Sequence, residues 1–277
     1  MGLKNKIKKV FKTINSKEKI AIPSLTGIEN LLEGRTALIT GGSSGIGYAI
    51  AKKFLSSGCQ VVISGTNEEK VKNCCNKLNS DKVRGITINL LEVSALKDKI
   101  IQSASLFKNS QIDTLVNCAG FNPKKDFFNI AEDDYDKTMD TNVKGTFFMC
   151  QAMADYMIKN NIKGHILNLS SSSALRPAWS PYEMSKWTIR GLTVGLADSL
   201  IPYGITVNAL APGPTATPML GKSAEGDIDL PSNPIGRYAT PEEIANLATI
   251  LVSEMGNLIV GDTLYATGGS GIISLHK

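Results

Sequence analysis

The sequence predicts an α/β fold: one doubly wound domain, with a parallel sheet of about seven strands and helices on both faces. Three observations predict it. Short apolar strands alternate with segments of helical spacing from Leu32 to a last strand at Thr263–Ala266. A glycine-rich turn, Thr40-Gly41-Gly42-Ser43-Ser44-Gly45-Ile46-Gly47, joins the first strand to the first helix. No linker interrupts residues 34–277. Repeated β-α units call for crossover connections, and these cover a parallel sheet with helices on both sides.

Residues 1–33 read as an extension ahead of the domain at 34–277. Leu3, Ile7, Val10, Phe11 and Ile14 recur at helical spacing, with lysines on the other face. Such a basic amphipathic helix can lie on an anionic membrane. It can equally pack on its own protein or on a neighbouring subunit. Lys6 stands where a myristoylation signal wants Ser or Thr.

The first strand, Ala37-Leu38-Ile39, runs into the glycine turn, and Tyr48 to Leu55 continues as a helix. Strand, glycine turn and helix are the context of a dinucleotide site. Glycines let the backbone approach a pyrophosphate, and the helix N-terminus offers N–H groups and a positive dipole end. The spacing is Gly-x-x-x-Gly-x-Gly. Without a ligand, the same stretch is simply a tight turn. Val61–Ile63 follows as the second strand, Glu68–Leu78 as a helix, and Val83–Leu90 as the third strand. Ala95–Phe107 reads as a helix, Thr114–Val116 as the fourth strand, and Tyr135–Lys159 as one long helix. His165–Leu169, the helix Ser180–Leu200, the strand Thr206–Leu210, the helix Pro241–Leu251 and the final strand complete the order. The stretch 218–240, rich in Gly, Pro and Ser, reads as a lid or binding loop.

Composition narrows the function. The chain has 277 residues, 42% hydrophobic and 20% charged, which is ordinary for a globular protein. No apolar run approaches the ~20 residues of a membrane span. Of the net +5, residues 1–20 carry +6, so the remainder is near −1 and presents no basic surface for nucleic acid. Five cysteines, with no Cys-x-x-Cys pair and no visible signal peptide, read as reduced thiols of a cytoplasmic protein. Only His165 and His276 are available, which leaves little material for a Ser-His-Asp triad or a metal site, and none is expected.

Tyr182 and Lys186 lie four apart near a helix start and project from one face. Ser180, Pro181 and Glu183 form the capping pattern that sets that start. An ammonium beside a phenol favours phenolate, so Lys186 should lower the Tyr182 pKa and let it exchange a proton with a substrate oxygen. The same pair could be an exposed Tyr and Lys on an amphipathic helix.

With Tyr182 and Lys186 placed, residues ~34–270 resemble the short-chain dehydrogenase/reductase family. Asn117-Cys118-Ala119-Gly120 ends the fourth strand, with Cys118 where the family usually has a second asparagine. Asn142 matches the family's helix asparagine, Leu169-Ser170-Ser171 closes the fifth strand, and Asn208 to Gly213 closes the sixth, followed by Thr217. The resemblance implies a Rossmann-type domain. It implies Tyr182 as the acid in reduction and base in oxidation, with Lys186 acting on it and on the nicotinamide ribose. Asn142 would position a water between Lys186 and solvent. Ser171 would hold the substrate carbonyl, with Ser170 and Ser172 as competing choices. Ser171 lies eleven residues before Tyr182, closer than the family's usual spacing, which implies a shortened loop over 174–179.

Cofactor contacts are expected from Gly41, Ser43, Ser44, Gly45, Ile46 and Gly47. Further contacts are expected from Asn117, Ala119, Gly120, Tyr182, Lys186, Pro212, Gly213, Thr215 and Thr217. Asn89, with Leu90 beside it, stands where the family often has an adenine-contacting Asp. Ser64-Gly65-Thr66-Asn67 follows the second strand with neither a carboxylate to bond ribose hydroxyls nor an arginine for a 2′-phosphate. Ser64, Thr66 and Asn67 would then supply neutral hydrogen bonds, which makes NADP(H) the expected cofactor and NAD(H) the alternative.

The expected function is therefore hydride transfer between a nicotinamide cofactor and a carbonyl or alcohol. A non-catalytic dinucleotide-binding protein would have lost one of these groups. A sugar-nucleotide epimerase would carry a sizeable C-terminal substrate domain. The substrate is a small molecule. Trp179, Met219, Leu220 and Leu230 suggest an apolar pocket, and the resemblance makes a 3-oxoacyl thioester the default. The stretches 135–159 and 180–200 are apolar on more than one face, so a homotetramer, or at least a dimer, is expected.

Overall fold

The structure, a computed structural model, describes residues 30–108 and 111–274. The readings made for the N-terminal extension and for His276 lie outside the described residues. Seven strands form one sheet: β1 (Thr36–Thr40), β2 (Gln60–Gly65), β3 (Val83–Thr87), β4 (Thr114–Asn117), β5 (His165–Leu169), β6 (Thr206–Pro212) and β7 (Thr263–Ala266). Their order is β3-β2-β1-β4-β5-β6-β7, and every neighbouring pair is parallel. Among the described residues seven α-helices accompany them: α1 (Gly45–Ser56), α2 (Glu68–Leu78), α3 (Leu96–Ala104), α4 (Glu132–Met139), α5 (Thr146–Lys159), α6 (Pro181–Leu200) and α7 (Pro241–Leu251).

The strand residues divide between two cores. Leu38, Val62, Leu115, Ile166 and Val207 turn to one face, against Leu96 and Ile100 of α3, Met149 and Met153 of α5 and Leu200 of α6. Ala37, Ile39, Ile63, Val116 and Leu167 turn to the other, against Ile50 and Phe54 of α1, Val71 of α2 and Ile244 and Ala248 of α7. Central strands covered on both faces need apolar residues at every position, so β1, β4 and β5 are buried throughout. The edge strand β3 has one exposed pair, Arg84 and Gly85. Among the described residues no helix is long and apolar enough to cross a membrane.

Two elements differ from the sequence reading. β3 stops at Thr87, and Leu90 lies beyond it with its side chain in the core. The helix read over 135–159 is broken: α4 ends at Met139, Asp140–Gly145 forms a π-helical turn, and α5 begins at Thr146. The wide turn is locked by tertiary bonds from Asn142 and by Gly145, where a Cβ would lie 2.7 Å from the Leu90 Cβ. Periodicity cannot report such an insertion, because its cause lies in other elements.

The chain passes from β1 outward to β2 and β3, then crosses back to β4 on the other side of β1. Such a switch point opens a crevice beyond the C-terminal ends of β1 and β4. The glycine turn lies there.

Candidate active site

At the switch point the backbone approaches itself closely. Gly41 has φ +65, and a Cβ there would sit 2.8 Å from the backbone N and Cα of Ala119. A Cβ on Gly47 would meet the Gly41 carbonyl oxygen at 2.4 Å. Thr40 Oγ1 accepts the N–H groups of Cys118 (3.2 Å) and Ala119 (3.3 Å), tying the two strand ends together. Ser44, the N-cap of α1, makes no side-chain capping bond, and the first turn of α1 holds no acid. Its N–H groups and dipole end are thus left for an anion. A cavity of about 160 Å³ lies against Gly41, Ser44, Gly45, Ile46, Ala119 and Gly120. These residues fit a dinucleotide pyrophosphate: the approach is glycine-lined, the donors are backbone N–H groups, and no carboxylate opposes the charge.

A second cavity, about 260 Å³, continues from the first through Ile46, Cys118, Gly120, Thr217 and Met219. α6 brings Tyr182 and Lys186 to it. The start of α6 is fixed by Pro181 in its first turn and by Glu183, whose carboxylate accepts both the N–H (3.0 Å) and the hydroxyl of Ser180. Lys186 is buried and donates from Nζ to the Leu169 carbonyl at 2.8 Å, with Nζ 5.5 Å from the centre of the Tyr182 ring. Burial lowers the Lys186 pKa to about 8. Burial also raises the Tyr182 phenol above its usual value, and a hydrogen bond with Ser171 opposes the shift. That direction is opposite to the sequence expectation for Tyr182: withdrawal from water outweighs the hydrogen bond, so the phenol is protonated at neutral pH.

Of the four serines, Ser171 is the one that acts on the Tyr182 phenol, opposing the upward effect of burial on its pKa. It also accepts the Ser173 N–H at 3.1 Å. Ser170 is buried and donates to the Lys186 carbonyl at 3.0 Å, and Ser172 is buried at the head of a 3-10 turn. The Asn142 amide is held on three sides. Its Oδ1 accepts the Phe121 N–H (2.7 Å), and its Nδ2 donates to the Phe121 carbonyl (2.9 Å) and to Ser185 Oγ (3.0 Å). The glycine at 120 leaves room between Asn142 and Lys186: a Cβ there would lie 3.5 Å from Asn142 Oδ1 and 3.8 Å from Lys186 Nζ.

Pro212, Gly213, Thr215 and Thr217 line the same cavity from the end of β6. Ser43 lies by the end of β2, where a Cβ on Gly65 would be 3.1 Å from its Oγ. Thr66 is exposed there. Other expected contacts are not brought to the crevice by their side chains. Ser64 is buried, with its hydroxyl on the Ile39 carbonyl at 3.4 Å. Asn67 caps α2, its Oδ1 accepting the Lys70 N–H at 2.8 Å, which leaves only its Nδ2. Asn89 lies beyond β3, outside both cavities, and bonds Glu92 Oε1 (3.0 Å) and the Leu91 N–H (3.2 Å). Asn117 turns into the sheet and donates to Asn168 Oδ1 (3.0 Å) and Cys150 Sγ (3.1 Å). Met219 and Leu220 line the cavity; Trp179 and Leu230 do not.

The structure adds residues that the sequence reading did not single out. Ser185 supports Asn142 and donates to the Tyr182 carbonyl at 2.7 Å. Its place between Tyr182 and Lys186 was the available signal. Asn122 and Arg176 also line the cavity. Arg176 had a signal too, as the one cation between Ser170 and Tyr182.

Comparison with known proteins agrees with this geometry. The sequence model of the short chain dehydrogenase family matches residues 35–227. The chain is 36% identical over 242 residues to a 3-oxoacyl-[acyl-carrier-protein] reductase FabG of Rickettsia prowazekii (strain Madrid E), covering 86% of this chain and 97% of that one. It is 34% identical over 248 residues to the (2S)-[(R)-hydroxy(phenyl)methyl]succinyl-CoA dehydrogenase subunit BbsD of Thauera aromatica, covering 88% and 99%. Among solved structures it is similar to a 3-ketoacyl-(acyl-carrier-protein) reductase from Brucella melitensis complexed with NADH. There the TM-score is 0.79 and the identity 29%, covering 87% of this chain and 100% of the other. With the glycine cradle at its switch point and a tyrosine–lysine pair beside it, this chain belongs to the short-chain dehydrogenase/reductase family.

Proposed function

We propose that this chain reduces a hydrophobic ketone to a secondary alcohol, and catalyses the reverse oxidation, with NADP(H) in preference to NAD(H). The observation that carries the reading is one continuous crevice: the Tyr182 phenol, the Ser171 hydroxyl and the buried Lys186 share a cavity that opens into the glycine cradle. A bound nicotinamide would supply the hydride to the carbonyl carbon, or accept it in oxidation. Tyr182, protonated at neutral pH, gives its proton to the carbonyl oxygen in reduction and takes it back in oxidation. Ser171 donates a hydrogen bond to the same oxygen as negative charge develops. Lys186, charged below about pH 8, stabilises the phenolate that proton transfer leaves. Asn142 holds the 121 loop against α6, and the space at Gly120 suits a water that relays a proton from Lys186.

The cavity walls include Ile46, Pro214, Met219 and Leu220, which suits an apolar acyl chain. The reductases among the relatives make a 3-oxoacyl thioester the first substrate to test. The preference for NADP(H) is supported by the lack of a carboxylate in residues 64–67 and by Thr66 and the Asn67 Nδ2 at the end of β2. Glu68 and Glu69 follow in the first turn of α2 and oppose a 2′-phosphate, so the preference is modest. The test is steady-state oxidation of NADPH and of NADH with 3-oxoacyl thioesters and a panel of apolar ketones. The expected result is ketone-dependent turnover with a higher kcat/KM for NADPH. No turnover with any ketone overturns the enzyme reading, and a ratio favouring NADH overturns the cofactor choice.

The reading includes a homotetramer, or at least a dimer. α6 has Trp187 and Val194 exposed, with open space at Gly191 and Gly195, and α5 exposes Phe147. Light scattering at micromolar concentration should show an assembly larger than one chain. All five cysteines are unpaired thiols, which supports a cytoplasmic location.

A further inference from the structure

We propose that Arg176 selects a substrate bearing a carboxylate on the ketone's own chain. The inference rests on the reading of the cleft given above and names the class of substrate it takes. Among the described residues lining the cavity, three carry charge: Arg176, Glu183 and Lys186. The Glu183 carboxylate accepts two bonds from Ser180, and the Lys186 ammonium donates to Leu169. Arg176 has no ion-pair partner among the described residues. One of its nitrogens donates to the Ser270 hydroxyl, which leaves several of its five N–H donors open.

Its backbone is held in place, and its side chain is exposed where it lines the cavity. The Trp187 indole N–H donates to the Arg176 carbonyl at 2.9 Å and ties its backbone to α6. A Cβ on Gly271 would lie 3.2 Å from the Arg176 Nε, so the C-terminal segment passes close along the guanidinium. The loop after Ser171 brings this cation to the cavity wall that Tyr182 shares. A planar fork with unused parallel donors matches a carboxylate bidentately. The apolar walls at Pro214, Met219 and Leu220 would cover the chain between the carboxylate and the ketone. A second source of oxyanion is the phosphate of a pantetheine-type carrier, which would approach the same donors from outside the cavity.

The test compares three probes on wild type and on Arg176→Gln. They are oxo acids of graded chain length, their methyl esters, and 3-oxoacyl thioesters of pantetheine with and without its phosphate. In wild type one oxo acid should exceed its ester in kcat/KM by about 10- to 100-fold, the range for a charge-assisted bond. In Arg176→Gln that ratio should fall to near one, through a rise in the KM of the acid that exceeds any change seen with the ester. A ratio near one in wild type, or an equal loss on acid and ester in the variant, overturns the proposal. Discrimination seen only with the phosphate overturns the carboxylate assignment. If wild type turns over no ketone, the enzyme reading fails by itself. Binding of oxo acid and ester to the protein with NADPH, read by cofactor fluorescence, then gives the same ratio and decides on Arg176.

Discussion

The two ends of the sheet carry polar clusters of opposite character. At the N-terminal edge, Asp113 accepts the Thr36 N–H (3.1 Å) and the Thr114 hydroxyl (2.6 Å), with Arg35 at 3.7 Å. His165 Nδ1 and Thr206 Oγ1 are 2.7 Å apart, and burial lowers the His165 pKa to about 3, so the ring is neutral. A hollow lined by Thr36, Gln60 and Asp113 opens there too. Asp113 bonds Thr36 and Thr114, Thr36 bonds Gln60, and His165 bonds Thr206, so these groups tie neighbouring strands to one another. At the C-terminal edge, Tyr182, Ser171 and Arg176 face a cavity with donors to spare. Concavity and buried charge are common to both ends. Unused hydrogen-bond capacity is what separates a site from a staple.

The largest effect that would sharpen this contrast is at the tyrosine–lysine pair. Tyr182→Phe keeps the ring packing and removes the proton, so turnover should fall by about 10²- to 10⁴-fold with cofactor binding and Tm almost unchanged. Lys186→Ala should lower turnover further and raise the cofactor Kd, since it removes the charge beside Tyr182 and an expected ribose contact. Initial rates and cofactor fluorescence titration measure both. Retention of more than about a tenth of wild-type turnover by Tyr182→Phe would break the comparison.

Asp113→Ala is the matching change at the other edge. It leaves the Thr36 N–H and the Arg35 guanidinium without their acceptor, which should cost about 1–3 kcal/mol in urea unfolding. The kcat of the folded fraction should stay at the wild-type value, and a fall would place the N-terminal edge in the chemistry. Gly41→Ala probes the cradle, because its Cβ would press on the Ala119 backbone at 2.8 Å. The expected outcome is a cofactor Kd raised by about tenfold, on the order of 1.4 kcal/mol, together with a lowered Tm, because the positive φ and the backbone contact both strain an alanine.

The smallest effect is the pH profile. The folded pKa of Lys186 is lowered to about 8, so its charge is present below that pH and lost above it. Burial raises the Tyr182 pKa, which keeps the phenol protonated through the same range. Ketone reduction under kcat/KM conditions should therefore fall several-fold as pH rises through about 8. In Lys186→Arg, whose charge does not titrate there, the residual rate should be flat across that range. A wild-type profile flat to pH 10 would remove Lys186 from the charge balance of the reaction.

The sequence by itself determined the sheet, the order of its units, the glycine turn and the identities of Tyr182 and Lys186. All are local patterns: strands and helices each declare a period, and the pair lies one helical turn apart. Even so, spacing did not separate Ser171 from Ser170 and Ser172, because all three are loop serines until their hydroxyls are directed. Only the tertiary structure directed them, placing Ser170 on the Lys186 carbonyl and Ser171 where it acts on the Tyr182 phenol. It also broke the 135–159 helix at Asn142, whose partners lie 21 and 43 residues away in sequence. It buried Ser64 and turned Asn117 into the sheet, which no motif could show. It reversed the expected direction of the Tyr182 pKa, because desolvation depends on everything packed around a group, whereas a sequence names only its neighbours along the chain.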